Sequence, residues 1–407
     1  MRPRAAAAVL ATALAAAPAA KAQESGAGPA LTLRTSLKGS ILLTRAPDDP
    51  ELFPQRDSAT TLWRIRFEPS IRPTPSLTVT IAYEQRLRFA SAPAGFQSAA
   101  ALPSEAPAPY RIRQLDWTLS DGARSSWRHE VDRALVAWRL PKAEITAGRQ
   151  AIGWGRGVMF GAVDLFAPFS PVEADREWRR GVDAVRADVR LAARVSLDTV
   201  GAFGRTIDTS VFAARLRGYA GRADVEVVGG RRARDDFGGL TASAAVGDTE
   251  LHGETAVFRT PERGTVVKAV AGGSYRLPIG TGVLVFGEYQ YSGFGATSAA
   301  AILPLLADPA FQERYLRGDT QTLGRHAVGV LLTSEWSPSL SLGGQWLHNP
   351  VDGSGIVVPS ATFVLGDRLS ILANVYLAYG RRPEGWQLAT EYGAGGMSGF
   401  LQVRFYN

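Results

Sequence analysis

Between Gly148 and Asp183 arginines are interleaved with carboxylates in a pattern suited to a charged aqueous passage. Arg149, Arg156, Arg176, Arg179 and Arg180 share this stretch with Asp164, Asp175 and Asp183, and Trp154, Phe160, Phe166, Phe169 and Trp178 punctuate it. A guanidinium pairs readily with carboxylate or phosphate, so such a set can choose solutes by charge, as rings of charged side chains do in pores. The same residues can instead form internal Arg–Asp pairs that only pin the segment, and both readings stay open at this point. The stretch is too irregular for a strand or helix. It also exceeds the roughly 12–15 residues beyond which loops are usually functional or disordered, and its aromatics argue for order. Gly153, Gly155 and Gly157 imply tight turns; no GxxxxGK[ST] occurs and their spacing departs from GxGxxG, which excludes a phosphate cradle. The expectation is an ordered loop over 151–180 that folds inward, with Arg149, Trp154, Arg156, Asp164, Arg176, Arg179, Arg180 and Asp183 about a constriction.

Such a loop needs a wall, and the flanking sequence supplies one. Trp63, Ile65, Phe67 and Ile71 alternate with Arg64, Arg66 and Glu68; after Pro73–Ser76, Leu77, Val79, Ile81, Tyr83, Leu87 and Phe89 alternate with Thr78, Thr80, Glu84, Arg86 and Arg88. Period-two alternation marks strands. A soluble sandwich buries the apolar face; an outer-membrane barrel turns it to lipid and the polar face to a lumen. Three features favour the barrel. Strands of about ten residues recur throughout, short and long connections take turns, and the chain ends on an alternating strand, as expected of outer-membrane barrels.

The strands are placed at 31–44, 62–72, 77–89, 129–139, 143–150, 181–191, 196–205, 209–218, 223–232, 238–246, 250–260, 264–276, 282–293, 325–336, 339–349, 355–365, 369–379 and 396–406. The fold class is therefore all-β, a transmembrane antiparallel up-and-down β-barrel of about 18 (16–18) strands, an even number as bacterial single-chain barrels require. Tyr110–Leu119 also alternates, but a membrane strand there would send the 151–180 loop to the wrong side, so it is assigned to an outer loop. The apolar, proline-interrupted segment 299–316 is expected to form a short helix or cap in another outer loop. Trp63, Trp138, Tyr289, Tyr291, Trp336, Trp346, Tyr376 and Tyr379 are placed in interfacial girdles. Lumen-facing candidates are Arg64, Arg66, Glu84, Arg86, Arg88, Arg186, Asp188, Arg190, Arg215, Arg217, Glu288 and Arg404, and their arginine excess predicts a lumen that favours anions or carboxylated sugars unless neighbouring acids neutralise it.

Arg2 and Arg4, the alanine-rich run to Ala17 and Ala20-Lys21-Ala22 read as a secretory signal peptide over 1–22, with a single barrel domain over 23–407. No later apolar run reaches the roughly 18 residues of a membrane helix. Removing Arg2, Arg4 and Lys21 lowers the net charge of +7 by three to +4, too small for nucleic-acid binding to be the default reading. Only Lys21, Lys38, Lys142 and Lys268 among the 45 basic residues are lysines, a bias that a GC-rich genome explains as well as a lumen does. The chain has no cysteine, which excludes disulfides, thiolate metal sites and thiol nucleophiles. His129, His252, His326 and His348 form no HExxH and no GxSxG is present, so no enzyme, cofactor or metal is expected.

Gly148-Arg149-Gln150, Trp154-Gly155, Asp164-Leu165-Phe166-Ala167-Pro168 and Arg180-Gly181-Val182-Asp183-Ala184-Val185-Arg186 resemble a pattern in bacterial outer-membrane barrels similar to the alginate-export and porin families. The likeness covers about 40 residues and implies an outer-membrane barrel of porin or exporter type. The expected partners are outer-membrane lipid, a hydrophilic solute and, because a terminal aromatic strand resembles its signal, the barrel-assembly machinery through Leu401, Val403 and Phe405. Two functions remain: a channel for hydrophilic, anionic or carbohydrate solutes, or a non-conducting scaffold that binds surface polysaccharide.

Overall fold

The computed structural model describes residues 30–92, 101–385 and 387–407, so the signal peptide expected at 1–22 lies outside the described residues. In the first half of the chain the strands are β1 (Ala30–Arg45), β2 (Asp57–Thr74), β3 (Leu77–Ala90), β4 (Asp116–Gly122), β5 (Ser125–Arg139), β6 (Ala143–Gln150), β7 (Val182–Ala192), β8 (Val195–Ala202), β9 (Val211–Ala220) and β10 (Ala223–Arg232). The second half adds β11 (Asp235–Val246), β12 (Thr249–Thr260), β13 (Gly264–Leu277), β14 (Val283–Ser292), β15 (His326–Ser337), β16 (Leu340–Asn349), β17 (Ser354–Leu365), β18 (Leu369–Tyr379) and β19 (Met397–Tyr406).

Each strand pairs antiparallel with the next, except that β3 bypasses β4 to pair with β5. β19 returns to β1 along Ser36–Arg45 and closes the ring. The result is a closed antiparallel barrel of 18 strands, with β4 outside the ring. Three predicted strands, 143–150, 223–232 and 369–379, coincide with the observed limits; β2 and β5 begin several residues earlier than the alternation indicated. The long connections gather at one end of the barrel together with the short β10–β11 and β12–β13 links, and the other end carries only tight turns and both termini of the ring. Within the long connection after β14, α1 (Ile302–Ala307) and α2 (Pro309–Arg317) occupy the segment expected to cap an outer loop. Asp308 caps α2 by accepting from Ala310 N at 3.0 Å, and Gly318 ends it in the left-handed region.

The segment 110–119 is only partly loop. Its last four residues open β4, which pairs with the upper half of β5 alone. The cause is the shortness of β6, which leaves the edge of β5 beyond Ala134 uncovered. An open sheet edge has unpaired amides and carbonyls, and in lipid each is costly. Leu115 O accepts from Val131 N at 3.0 Å, and β4 continues the pairing from Glu130 to Ser125.

Alternation sorts the side chains as a membrane barrel requires. On β19, Leu401, Val403 and Phe405 are 44%, 41% and 37% exposed, whereas Gln402 is 1% exposed and bonds to Ser40 across the seam. Trp138 and Trp336 are exposed toward the short-turn end, Tyr289 and Trp346 toward the other. Tyr376 departs from the predicted girdle. It shares the parity of Leu372 and Asn374, so it is buried facing inward and accepts from Asn374 Nδ2 at 3.2 Å.

Leu401→Arg puts a charge on the lipid face near mid-strand, and is expected to lower stability by about 2–4 kcal/mol. The urea midpoint for unfolding from lipid vesicles reads this directly; an unchanged midpoint would mean that the face does not meet lipid.

Candidate functional site

Along β7 to β12 the inward face changes character. Toward the long-loop end it is apolar and buried: Val182 and Ala184, Val200 and Ala202, Val211 and Ala213, Val228, Phe237, Ala256 and Phe258. Farther down, the same faces carry Arg186, Asp198, Arg215, Glu226 and Glu254. Residues 151–181 lie against this surface inside the ring. Ile152, Trp154, Met159, Phe160, Val163, Leu165 and Phe166 pack on the apolar band, with Trp154 edge-on to Phe166 at 5.1 Å. Full burial of such a side chain stabilises by roughly 1.5–3 kcal/mol, so the loop has a core of its own.

The loop backbone has no sheet or helix to satisfy it, and two carboxylates take that role. Glu254 accepts from the amides of Arg156, Gly157, Ala162 and Val163, the second at 2.8 Å and the third at 2.8 Å. Glu288 accepts from Val158, Met159 and Phe160 at 2.5, 2.9 and 3.0 Å, and the eighth amide, Gly161, donates to Gln321 Oε1 at 3.1 Å. Every backbone N–H from 156 to 163 thus donates to a side chain. His252 Nε2 lies 3.0 Å from Glu288 and Nδ1 3.1 Å from Glu250. Lys268 Nζ donates to Gly161 O at 2.8 Å and to Asp319 O at 2.6 Å, tying the loop to the connection that carries α1 and α2. Gly157 is required here, because a Cβ would lie 1.8 Å from Phe160 O.

The return arm of the loop fastens to the opposite wall. Asp175 accepts from Lys38 Nζ at 2.7 and 2.9 Å and from Arg64 at 3.3 Å. Lys38 also sits 3.7 Å above the Trp178 ring, with Arg64 and Arg66 near the same ring at 4.8 and 5.0 Å. Burial alone would raise the Asp175 carboxyl, but Lys38 and Arg64 beside it hold it below the usual carboxylate range. At Asp164 burial prevails over the pull of Arg179, and the carboxyl is raised.

The predicted constriction residues fall in three places. Arg149 and Asp183 pair at 2.7 Å in the wall, where the guanidinium also donates to Val131 O at 2.8 Å, Gln114 O at 2.6 Å and Arg113 O. It closes the gap between β6 and β4 and makes no bond to residues 151–180. Trp154 and Arg156 meet the charged band of β8 to β10: Trp154 Nε1 donates to Asp198 at 3.0 Å, and Arg156 reaches Asp224 and Glu226 at 2.8 and 3.1 Å. Asp164 pairs with Arg179 at 2.8 Å within the loop; Arg176 donates to the carbonyls of Val158 and Pro171; Arg180 has no ion pair within 4.0 Å among the described residues.

The predicted lumen set lies on inward strand faces and is largely paired: Arg64 and Arg86 with Glu84, Arg66 with Asp132, Arg88 with Glu105, Arg186 and Arg215 with Asp198, Arg217 with Asp224, and Arg404 with Asp175. Asp188 and Arg190 stand near the short-turn end, and Glu288 holds the loop. Sequence reasoning missed Lys38, Glu254, Lys268 and Gln321. The first three carried a usable signal, since Lys38 shares the inward face with Ser36 and Ser40, Glu254 with His252, and Lys268 with Val266 and Val270.

Glu254→Ala strands four amides, of which those of Ala162 and Val163 are buried and cost about 1–3 kcal/mol each when left without a partner. Trypsin cleavage after Arg156 in the folded, membrane-inserted protein is expected to accelerate by about tenfold or more, with Glu254→Gln in between because one amide oxygen remains to accept. Equal cleavage of wild type and Glu254→Ala would mean that the carboxylate does not hold the loop.

No protein-family description matches the chain, and no curated protein matches it. Solved structures do. It is similar to OccAB1 of Acinetobacter baumannii over 96% of this chain and 99% of that one, with a TM-score of 0.55 at 9% identity. A BenF-like porin from Pseudomonas fluorescens Pf-5 aligns over 94% and 100% of the two chains, with a TM-score of 0.54 at 10% identity. Pseudomonas aeruginosa OpdK, solved with vanillate, aligns over 92% and 98%, with a TM-score of 0.52 at 11% identity. These likenesses rest on architecture and not on shared sequence. The chain has the 18-strand porin fold of a bacterial outer-membrane β-barrel.

Proposed function

We propose that this barrel is an outer-membrane channel that passes small hydrophilic solutes, anions in preference, past the loop at 151–180. The observation that carries the reading is a polar lumen crossed by an ordered loop bonded to both walls, an arrangement suited to narrowing a passage. Long loops face the cell exterior and tight turns the periplasm in this reading, as in other barrels of the class. Insertion relies on the barrel-assembly machinery reading the last strand, with Leu401, Val403 and Phe405 on its lipid face.

Anion preference rests on the loop's return arm. Among the described residues, Arg176 and Arg180 carry guanidiniums without a carboxylate within 4.0 Å, unlike the paired arginines of the wall. Burial lowers Arg180 to about 10, which leaves it charged at neutral pH. The vanillate in the OpdK structure is an aromatic carboxylate, in keeping with a small organic anion; the motif resemblance to alginate exporters keeps uronate chains on the list of solutes to test. A second reading, a non-conducting scaffold that binds surface polysaccharide, is favoured by the apolar body of the loop, which fills the lumen beside β7 to β12.

Planar-bilayer recording under a potassium chloride gradient separates the two. The channel predicts a stable conductance with an anion-selective reversal potential, and Arg176→Gln with Arg180→Gln should roughly halve the anion-to-cation permeability ratio by removing two fixed positive charges. Correctly folded protein that adds no current to the bilayer would establish the scaffold instead.

A further inference from the structure

The arginines of the lumen divide by what faces them. Of the nine predicted on inward strand faces, eight have a carboxylate within 3.8 Å, and Arg190 has none. Arg190 stands at the short-turn end of β7. Its neighbours on that rim share its condition: Lys142 in the β5–β6 turn, Arg194 in the β7–β8 turn and Arg222 in the β9–β10 turn have no ion pair among the described residues. They border two adjoining cavities of about 460 and 640 Å³ on the inner side of the rim. Tyr219 borders both and is 53% exposed. Opposing charge is outnumbered: Glu144 is occupied by Arg139 at 3.3 Å and Asp224 is taken by Arg217, which leaves Asp188 and, in the β11–β12 turn beside Gly247, Asp248.

We propose that this inner rim is a binding site for a multivalent oxyanion, a molecule bearing several phosphates or carboxylates, held by Lys142, Arg190, Arg194 and Arg222. The arrangement fits a chain of charges better than a single one. Neighbouring strands are about 4.8 Å apart, so the four spacings from the β5–β6 turn to the β9–β10 turn span roughly 19 Å of rim. A monovalent anion meets one exposed cation at a time, and each such pair contributes little. An oligoanion engages several at once without further ordering of the wall. Guanidinium suits this role, since its fork matches phosphate and carboxylate oxygens in pairs. The paired arginines of the strand faces above supply no comparable surplus, so the unpaired cations of the wall itself are concentrated at the mouth. The site goes beyond the channel reading, because binding at the rim does not require a conducting pore.

The test is calorimetric titration of the full-length folded protein in detergent with tripolyphosphate, beside orthophosphate as the monomeric probe. The expected result is saturable binding of tripolyphosphate, at least about tenfold tighter than orthophosphate, that weakens as salt approaches a screening length comparable to the spacing of the cations. Lys142→Gln, Arg190→Gln, Arg194→Gln and Arg222→Gln combined should weaken it about tenfold or more, while Arg276→Gln, at the same end on β13, should leave it within about twofold. All five positions are at or near the exposed rim, and an unchanged thermal midpoint confirms folding. No saturable binding, equal loss with Arg276→Gln, or no loss in the fourfold variant would each overturn the site. Bilayer recording of the same proteins keeps the two readings apart: absence of current removes the channel and leaves the rim site to the calorimetry.

Discussion

Eight backbone amides in a row, from 156 to 163, have no carbonyl partners in regular structure, and two buried carboxylates with one glutamine take their place. The rest of the lumen depends on this arrangement. A buried amide without an acceptor costs free energy comparable to a lost hydrogen bond, so an irregular segment can cross a barrel only if the wall offers acceptors where the amides point. Glu254 and Glu288 do so from β12 and β14, and each accepts several donors at once, which a neutral side chain cannot match. Negative charge on those glutamates is offset by the amide dipoles and by His252 beside Glu288. The loop conformation is then a property of the wall as much as of the loop sequence.

The second organising feature is the change in the inward face from apolar to charged along β7 to β12. It gives the loop a seat for its aromatic body and, directly below, the carboxylates of Asp198, Asp224 and Glu226 for Trp154 and Arg156. On the opposite side Lys38, Arg64 and Arg66 receive Asp175 and Trp178. The loop is held by apolar contact and carboxylates on one wall and by cations on the other. Arginine and acid are used mainly against each other here, which is why arginine content alone overstates the charge that a solute would meet.

Much of the fold was legible because a strand with lipid on one side and water on the other must alternate, and the last strand shows it from Leu401 to Phe405. Legibility failed where alternation answers to something else. Asp116–Leu119 pairs with only half of β5, a consequence of the short β6 that no local pattern reveals. Tyr376 looks like a girdle residue by type, but parity with Asn374 places it inside. Arg149 sits in the loop motif by sequence, yet the missing length of β6 draws it into the wall, where three carbonyls need a donor. Of the candidate site, the residue types and the aromatic core were readable. The acceptors Glu254 and Glu288 were not readable as partners of the loop, because they are separated from it by 91–98 and 128–130 positions and nothing local joins them.

That separation has a consequence for order in time. The loop is made early, but its acceptors arrive only with β12 and β14, and closing so long a stretch of chain carries an entropic cost that must be met before any of those bonds forms. A nascent barrel that ends before β12 therefore contains every residue of the loop and lacks the acceptors for its amides from 156 to 163. Narrowing of the lumen is among the last events of assembly, after most of the wall has formed.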